Sequence, residues 1–203
     1  MKKSTVIRLG ITAAIFVIVA LVSVASVNEY KKLVRLQRSV DSRWSDVAKQ
    51  YQQRTLLVPN IVQVLSPEAS FDKATLTELT QAQEKVDAIK LDPNQAPADP
   101  AEFQQYVQAQ KTLTKALSHI LMATLKNPAL MTNKSLRTLQ ADVLESANRL
   151  VIVQSRFDQA VESYNNATIH KFPAAFEATV LGFKPRPSFQ AQGTAVAIQS
   201  QSL

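Results

Sequence analysis

The chain is 203 residues long, carries 23 Lys and Arg against 16 Asp and Glu for a formal net charge of +7, and is 46% hydrophobic. It contains no Cys, which excludes a disulfide framework and every thiolate metal site. Its three glycines, Gly10, Gly182 and Gly193, leave residues 11–181 without a residue that adopts positive φ freely. Gly-rich phosphate loops and tight β-hairpins are therefore not expected.

Lys2, Lys3 and Arg8 precede an uncharged run, Leu9 to Val27, whose only polar side chains are Thr12, Ser23 and Ser26. At about 1.5 Å per residue this run spans roughly 28 Å of helix, close to the hydrocarbon thickness of a bilayer. It predicts one N-terminal transmembrane helix within residues 1–27. A cleaved signal peptide is the rival reading, because Ser23-Val24-Ala25 resembles a small-x-small cleavage site, but the run exceeds the roughly 7–15 residues of a usual h-region. With no Cys near residue 25, a lipoprotein anchor is excluded. Positive residues flank both ends of the run, with Lys31, Lys32, Arg35, Arg38 and Arg43 after it, so charge does not decide which side of the membrane holds the rest of the chain.

From Asn28 to Val58 neither Pro nor Gly occurs, and Leu33, Leu36, Val40, Trp44, Val47, Tyr51 and Val58 recur at helical spacing. The transmembrane helix is expected to continue into this one as a stalk. Pro59 lacks an amide donor and clashes with the carbonyl of Thr55, so a kink or short break is expected there. Ile61, Val62, Val64 and Leu65 extend the apolar face to Ser66-Pro67. A second helix begins near Phe71-Asp72 and presents Leu76, Leu79, Gln83, Val86 and Ile89. Three prolines between residues 92 and 100 deny donors and hold their neighbours extended, which makes that stretch a loop. A third helix carries Phe103, Tyr106, Leu113, Leu117, Ile120 and Thr124 and ends near Asn127-Pro128. A fourth runs from Ser135 to His170 through Leu136, Leu139, Val143, Leu150, Val153, Phe157, Val161 and Tyr164.

The predicted fold is all-α: an elongated antiparallel helical bundle of about four helices behind one N-terminal transmembrane helix. Residues 1–27 form the anchor, 28–183 the helical bundle and 184–203 a flexible C-terminal tail.

Catalytic chemistry finds little footing. Carboxylate-bridged metal bundles need Glu-x-x-His pairs, yet the residues three before His119 and His170 are Ala116 and Ala167. No Ser lies in a Gly-x-Ser-x-Gly elbow. Acid pairs such as Asp142 with Glu145, or Asp158 with Glu162, stand at helical spacing, which reads as a solvated face. No metal and no cofactor is expected. The basic residues are distributed along all the helices with the densest group beside the apolar run, so lipid rather than nucleic acid is the expected partner.

Two stretches resemble one bacterial family. The first is Leu33-Val34-Arg35-Leu36, Val40, Trp44-Ser45, Gln50, Arg54 and Val58-Pro59-Asn60-Ile61-Val62. The second is Asn148-Arg149-Leu150, Arg156-Phe157, Ala160-Val161, Tyr164-Asn165, Phe172-Pro173 and Gly182-Phe183. Their joint order and spacing look like the LemA family of membrane-anchored bacterial proteins. The chain departs from the family pattern at Leu56 and Ala147, where relatives usually carry acids, and at Asp158, where they carry Asn. The resemblance implies a helical bundle on a single anchor and supplies no enzyme activity.

Polar groups next to apolar helical stretches, namely Pro59, Asn60, Asn148, Arg149 and Asn165, form the candidate cluster for a partner, or alternatively for satisfying the carbonyl that Pro59 frees. Lys31, Lys32, Arg35 and Arg38 are the candidate lipid contacts. The expected function is a non-catalytic, single-pass scaffold or adaptor at the bacterial inner membrane, meeting the lipid bilayer and other membrane or envelope proteins, with self-association left open. The alternative is a lipid-surface or membrane-shaping module that uses the basic cluster.

Overall fold

A computed structural model describes residues 2–69, 71–169 and 182–190, with side-chain detail beginning at residue 28. Every regular element among the described residues is helical. The helices are α1 (Lys2–Thr55), α2 (Leu57–Leu65), α3 (Lys73–Asp87), α4 (Pro100–Leu125), the single turn α5 (Pro128–Met131) and α6 (Lys134–Ile169). Among the described residues no helix is long and apolar enough to cross a membrane. The side chains of the predicted span, residues 9–27, lie outside the described residues, as does His170.

Local chemistry sets the helix boundaries. Asp72 caps α3 by accepting hydrogen bonds from the amides of Ala74 and Thr75. Asp99 caps α4 in the same way through the amide of Ala101, and Pro100 occupies the first helical position, where a missing donor costs nothing. The expected break before Pro59 is a single turn residue, Leu56, between α1 and α2. Its amide still reaches the carbonyl of Gln52 at 3.1 Å, so the interruption is confined to the carbonyl that Pro59 cannot serve. The turn α5 is absent from the sequence reading, which leaves residues 128–134 as a connection.

The chain divides into two compact units. The larger comprises Val40–Glu162 with Arg186–Leu203. In it, α2, α3, α4 and α6 close on one core that includes Ile61, Leu65, Leu79, Leu113, Leu117 and Leu136. The end of α1 runs antiparallel to α6, because Trp44 packs on Phe157 while Tyr51, seven residues later, meets Gln154. The smaller unit comprises Met1–Ser39 with Ser163–Pro185. There Leu33 and Ala167 are buried together, with Leu36 and Phe183 packed against them, and Tyr30 meets Phe183 edge-on at 6.0 Å between centroids. Gly182 adopts φ +77°, and an added Cβ would meet nothing within 4 Å, so this position requires backbone freedom rather than space.

The sequence reading assigns residues 184–203 to a flexible tail, but part of that stretch is held. Phe189 packs on Phe103 with centroids 5.0 Å apart and on Phe157 at 5.7 Å, and Arg186 donates to the carbonyl of Ala96 at 2.6 Å. The remainder of the predicted tail, residues 191–203, lies outside the described residues.

Candidate functional site

The most developed polar feature of the larger unit centres on Arg54 in the last turn of α1. Its side chain is only 4% exposed, and it has no carboxylate partner among the described residues. Instead Nη1 donates to Thr114 Oγ1 at 2.8 Å, and Nη2 donates to Gln110 Oε1 at 2.7 Å and to the Gln110 carbonyl at 3.2 Å. The guanidinium also lies 5.1 Å from the centroid of the Tyr51 ring. The Tyr51 hydroxyl in turn accepts from Gln154 Nε2 at 2.6 Å. Three helices, α1, α4 and α6, therefore meet in one network. Burial lowers the pKa of Arg54, but a guanidinium starts so high that it stays charged. Burial raises the pKa values of Tyr51 and Tyr106, so both hydroxyls remain protonated and act as neutral hydrogen-bonding groups.

Around this network lies an aromatic cluster. Trp44 contacts Phe103, Tyr106 and Phe157 at 5.6–6.0 Å between centroids, and its Nε1 donates to the Asp92 carbonyl at 2.9 Å. The 89–99 loop is pinned a second time where Asp41 accepts the Ala96 amide at 3.0 Å. Beside the cluster an open groove of about 460 Å³ is lined by Trp44, Tyr51, Tyr106 and Gln110 together with Gln83 and Lys90. Two buried donors, Arg54 Nε and Gln110 Nε2, lack a hydrogen-bond partner among the described residues. With the guanidinium engaged by three acceptors on α4, the arrangement is a clamp between helices and not an open anion receptor.

Sequence reasoning names Arg54 only within the family pattern and does not single out Gln110, although a signal for a buried pair is present. The core residues Val40, Trp44, Val47 and Tyr51 of α1 and Val58 of α2 leave a vacant seam position at 54. Along α4, Phe103, Tyr106, Leu113 and Leu117 leave one at 110. Polar residues standing in the register of an apolar stripe are the ones that need buried partners.

The predicted polar cluster is dispersed among elements. Pro59 and Asn60 are exposed on α2, and Asn148 is exposed on α6. Arg149 pairs with Glu145 one turn away, both on an exposed face, Nε donating to Oε1 at 3.0 Å. Among the described residues no hydrogen bond joins Asn60 to Asn148 or Arg149. Asn165 belongs to the smaller unit, where its carbonyl accepts from Thr168 Oγ1.

The departures from the family pattern have separate outcomes. Leu56 is exposed and stands two residues from Arg54, on a different side of the helix, so an acid at 56 would not meet the guanidinium. Asp158 corrects the reading of a solvated acid pair: it is buried, and its carboxylate accepts the amides of Phe189 at 2.8 Å and Gln190 at 3.2 Å. Burial raises its pKa, with those two amide bonds opposing the shift. His119 is exposed on α4, 3.2 Å from Glu78 on α3. Among the described residues no group of three or more His, Asp or Glu is placed to hold a metal ion.

The predicted lipid contacts lie in the smaller unit. Lys31, Arg35 and Arg38 are exposed and line one groove of about 640 Å³ together with Asn28, Tyr30 and Val34. Lys32 is half-buried and engaged elsewhere.

The model of the LemA family matches residues 43–200, most of the chain. No curated protein matches it.

Proposed function

This chain belongs to the LemA family, and we propose that it works as a non-catalytic adaptor, fixed in the bacterial inner membrane by residues 9–27 and presenting a helical bundle to other membrane or envelope proteins. The observation that carries the reading is α1 itself. One helix, Lys2–Thr55, contains the uncharged run and also supplies Trp44, Val47 and Tyr51 to the bundle core. A second observation favours a partner. Leu144, Val151 and Ile152 are exposed large apolar residues of α6, at spacings of seven and eight that place them within one face about 100° wide, and Val151 is 66% exposed.

Site-specific photocrosslinking from a probe at the exposed position of Leu144 in intact membranes, read by mass spectrometry, tests the proposal. The adaptor reading expects a defined membrane or envelope protein whose capture is lost in the Val151→Glu, Ile152→Glu variant. Capture that is absent, or unchanged in that variant, overturns it. Recovery of a second copy of this chain alone assigns the face to self-association.

A further inference from the structure

We propose that Lys31, Arg35 and Arg38 form a binding site for the phosphate-bearing headgroups of anionic lipids. The inference rests on the anchor reading above and adds a ligand to it. Three observations carry it.

First, the net charge is confined to one unit. The smaller unit holds nine Lys and Arg against two acids, Glu29 and Glu177; Lys2, Lys3 and Arg8 precede the apolar run, and the six cations and two acids that follow it amount to a formal +4, whereas the larger unit holds fourteen of each and is neutral. The sequence reading of a charge dispersed along the helices is thereby refined: the larger unit carries no net charge, and the whole excess belongs to the unit that contains the apolar run. A field of one sign confined in this way attracts an anionic surface.

Second, the three cations stand at i, i+4 and i+7, on one stripe of α1. They line a common groove of about 640 Å³, with Asn28 one turn earlier and the exposed Tyr30 at its edge. Among the described residues none of the three has an ion-pair partner, so their donors are available to a ligand. Two arginines can each offer a phosphate a fork of parallel N–H donors, and the Tyr ring suits the interface between headgroup and acyl chain.

Third, the depth is right. At about 1.5 Å per residue, Lys31 follows Val27 by roughly 6 Å of helix, within the headgroup layer. Arg35 and Arg38 follow by roughly 12 and 17 Å, close enough for long side chains to reach back across a screening length of about 8–10 Å.

The test uses the full-length chain in mild detergent, equilibrated with equal amounts of phosphatidylglycerol and phosphatidylcholine, with retained lipid counted by native mass spectrometry. Phosphatidylglycerol should be retained preferentially. A membrane-surface Lys or Arg contributes on the order of a fivefold preference, so replacing Lys31, Arg35 and Arg38 together by Gln should lower it by roughly 100-fold. The charge-retaining variant Lys31→Arg, Arg35→Lys, Arg38→Lys should lose less than the Gln variant, because the charge stays while the two arginine forks are gone. All three positions are exposed, and circular dichroism checks that helix content is unchanged. An equal loss in both variants, or no preference in the parent chain, overturns the proposal. So does displacement of the lipid by inorganic phosphate at low millimolar concentration, which would assign the groove to a free anion. Alkaline extraction of native membranes separates the two readings. A chain released into the aqueous fraction sinks the anchor and this site together, whereas a chain that stays but shows no lipid preference sinks only the site.

Discussion

Replacing Arg54 by Met tests whether the buried guanidinium is a clamp. The substitution removes three hydrogen bonds to α4, and their partners are not left equally bare. The Gln110 carbonyl keeps the Thr114 hydroxyl, which donates to it at 2.8 Å, whereas Gln110 Oε1 loses the donor it had at 2.7 Å. One buried acceptor left unsatisfied costs about 1–3 kcal/mol. The cation–π contact with Tyr51 is partly replaced by the Met thioether on the same ring. Relief from desolvating a charge, which is worth several kcal/mol, opposes the loss of charge-assisted bonds of about 1.5–3 kcal/mol each. Those two terms largely offset each other, so Arg54→Met should cost about 1–3 kcal/mol, the cost of the orphaned acceptor. Adding Gln110→Leu removes that acceptor together with the unpartnered Nε2, and the double variant should recover the parent stability to within about 1 kcal/mol. Urea unfolding of the full-length chain in detergent, followed by far-UV circular dichroism, reads both values as shifts in midpoint. A double variant less stable than the single, or a single variant more stable than the parent, refutes the reasoning.

Trp44→Ala should destabilise by about 3–5 kcal/mol in the same assay, because a fully buried indole is lost from between Phe103, Tyr106 and Phe157; Trp44→Phe should cost less but still leave the Asp92 carbonyl without its donor. Asp158 has a pKa raised above its ordinary 3.8, so the folded chain holds that proton more tightly than the unfolded one. Its contribution to stability should therefore grow as pH falls through the raised value towards 3.8 and be lost as pH rises through it. Asp158→Asn should remove this component, seen as a difference in the pH slope of the urea midpoint between variant and parent. Pro59→Ala restores a donor opposite the Thr55 carbonyl, so the new amide should be protected in hydrogen exchange; rapid exchange there would mean that the break at Leu56 has another cause.

Much of this architecture was legible because the chain punctuates itself with unusual clarity. Between residues 11 and 181 there is no Gly, so its helices are bounded by Pro and by Asp caps, and Asp72, Asp99 and Pro59 mark boundaries that the structure keeps within one to three residues. The four-residue α5 escaped because a single turn offers no period to read. Phe189 escaped for a different reason: Pro185 and Pro187 suggest a loose tail, whereas long-range bonds, among them those of Asp158 and Arg186, hold it against the aromatic cluster. The candidate site was the least legible part. Arg54 reads as one more polar-face cation unless the vacancy it fills in the α1 stripe is noticed, and the acceptors that make it tolerable lie 56–60 residues away.

Those vacancies also explain how two long apolar seams choose one alignment. Phe103, Tyr106, Leu113 and Leu117 would each tolerate an aliphatic neighbour at several shifts, but among the buried positions of α4 a side-chain carbonyl stands only at 110, with the Thr114 hydroxyl one turn on. Sliding α4 by seven residues, two turns, would set the guanidinium against Phe103 and Val107 or against Leu117 and Leu121 and leave a buried charge unsolvated, so such alternatives are penalised more than the native alignment is rewarded. The two partners are consequently unequal. Removing the cation leaves a neutral orphan, whereas Gln110→Leu leaves a buried guanidinium that keeps Thr114 Oγ1 and the carbonyl of residue 110 but loses its shortest bond, and a charged group short of a buried partner costs more than a neutral one. Gln110→Leu alone should therefore destabilise the bundle more than Arg54→Met alone, and the addition of Arg54→Met should rescue it. If the two single variants prove equal in urea midpoint, the pair contributes ordinary hydrogen bonds and sets no register.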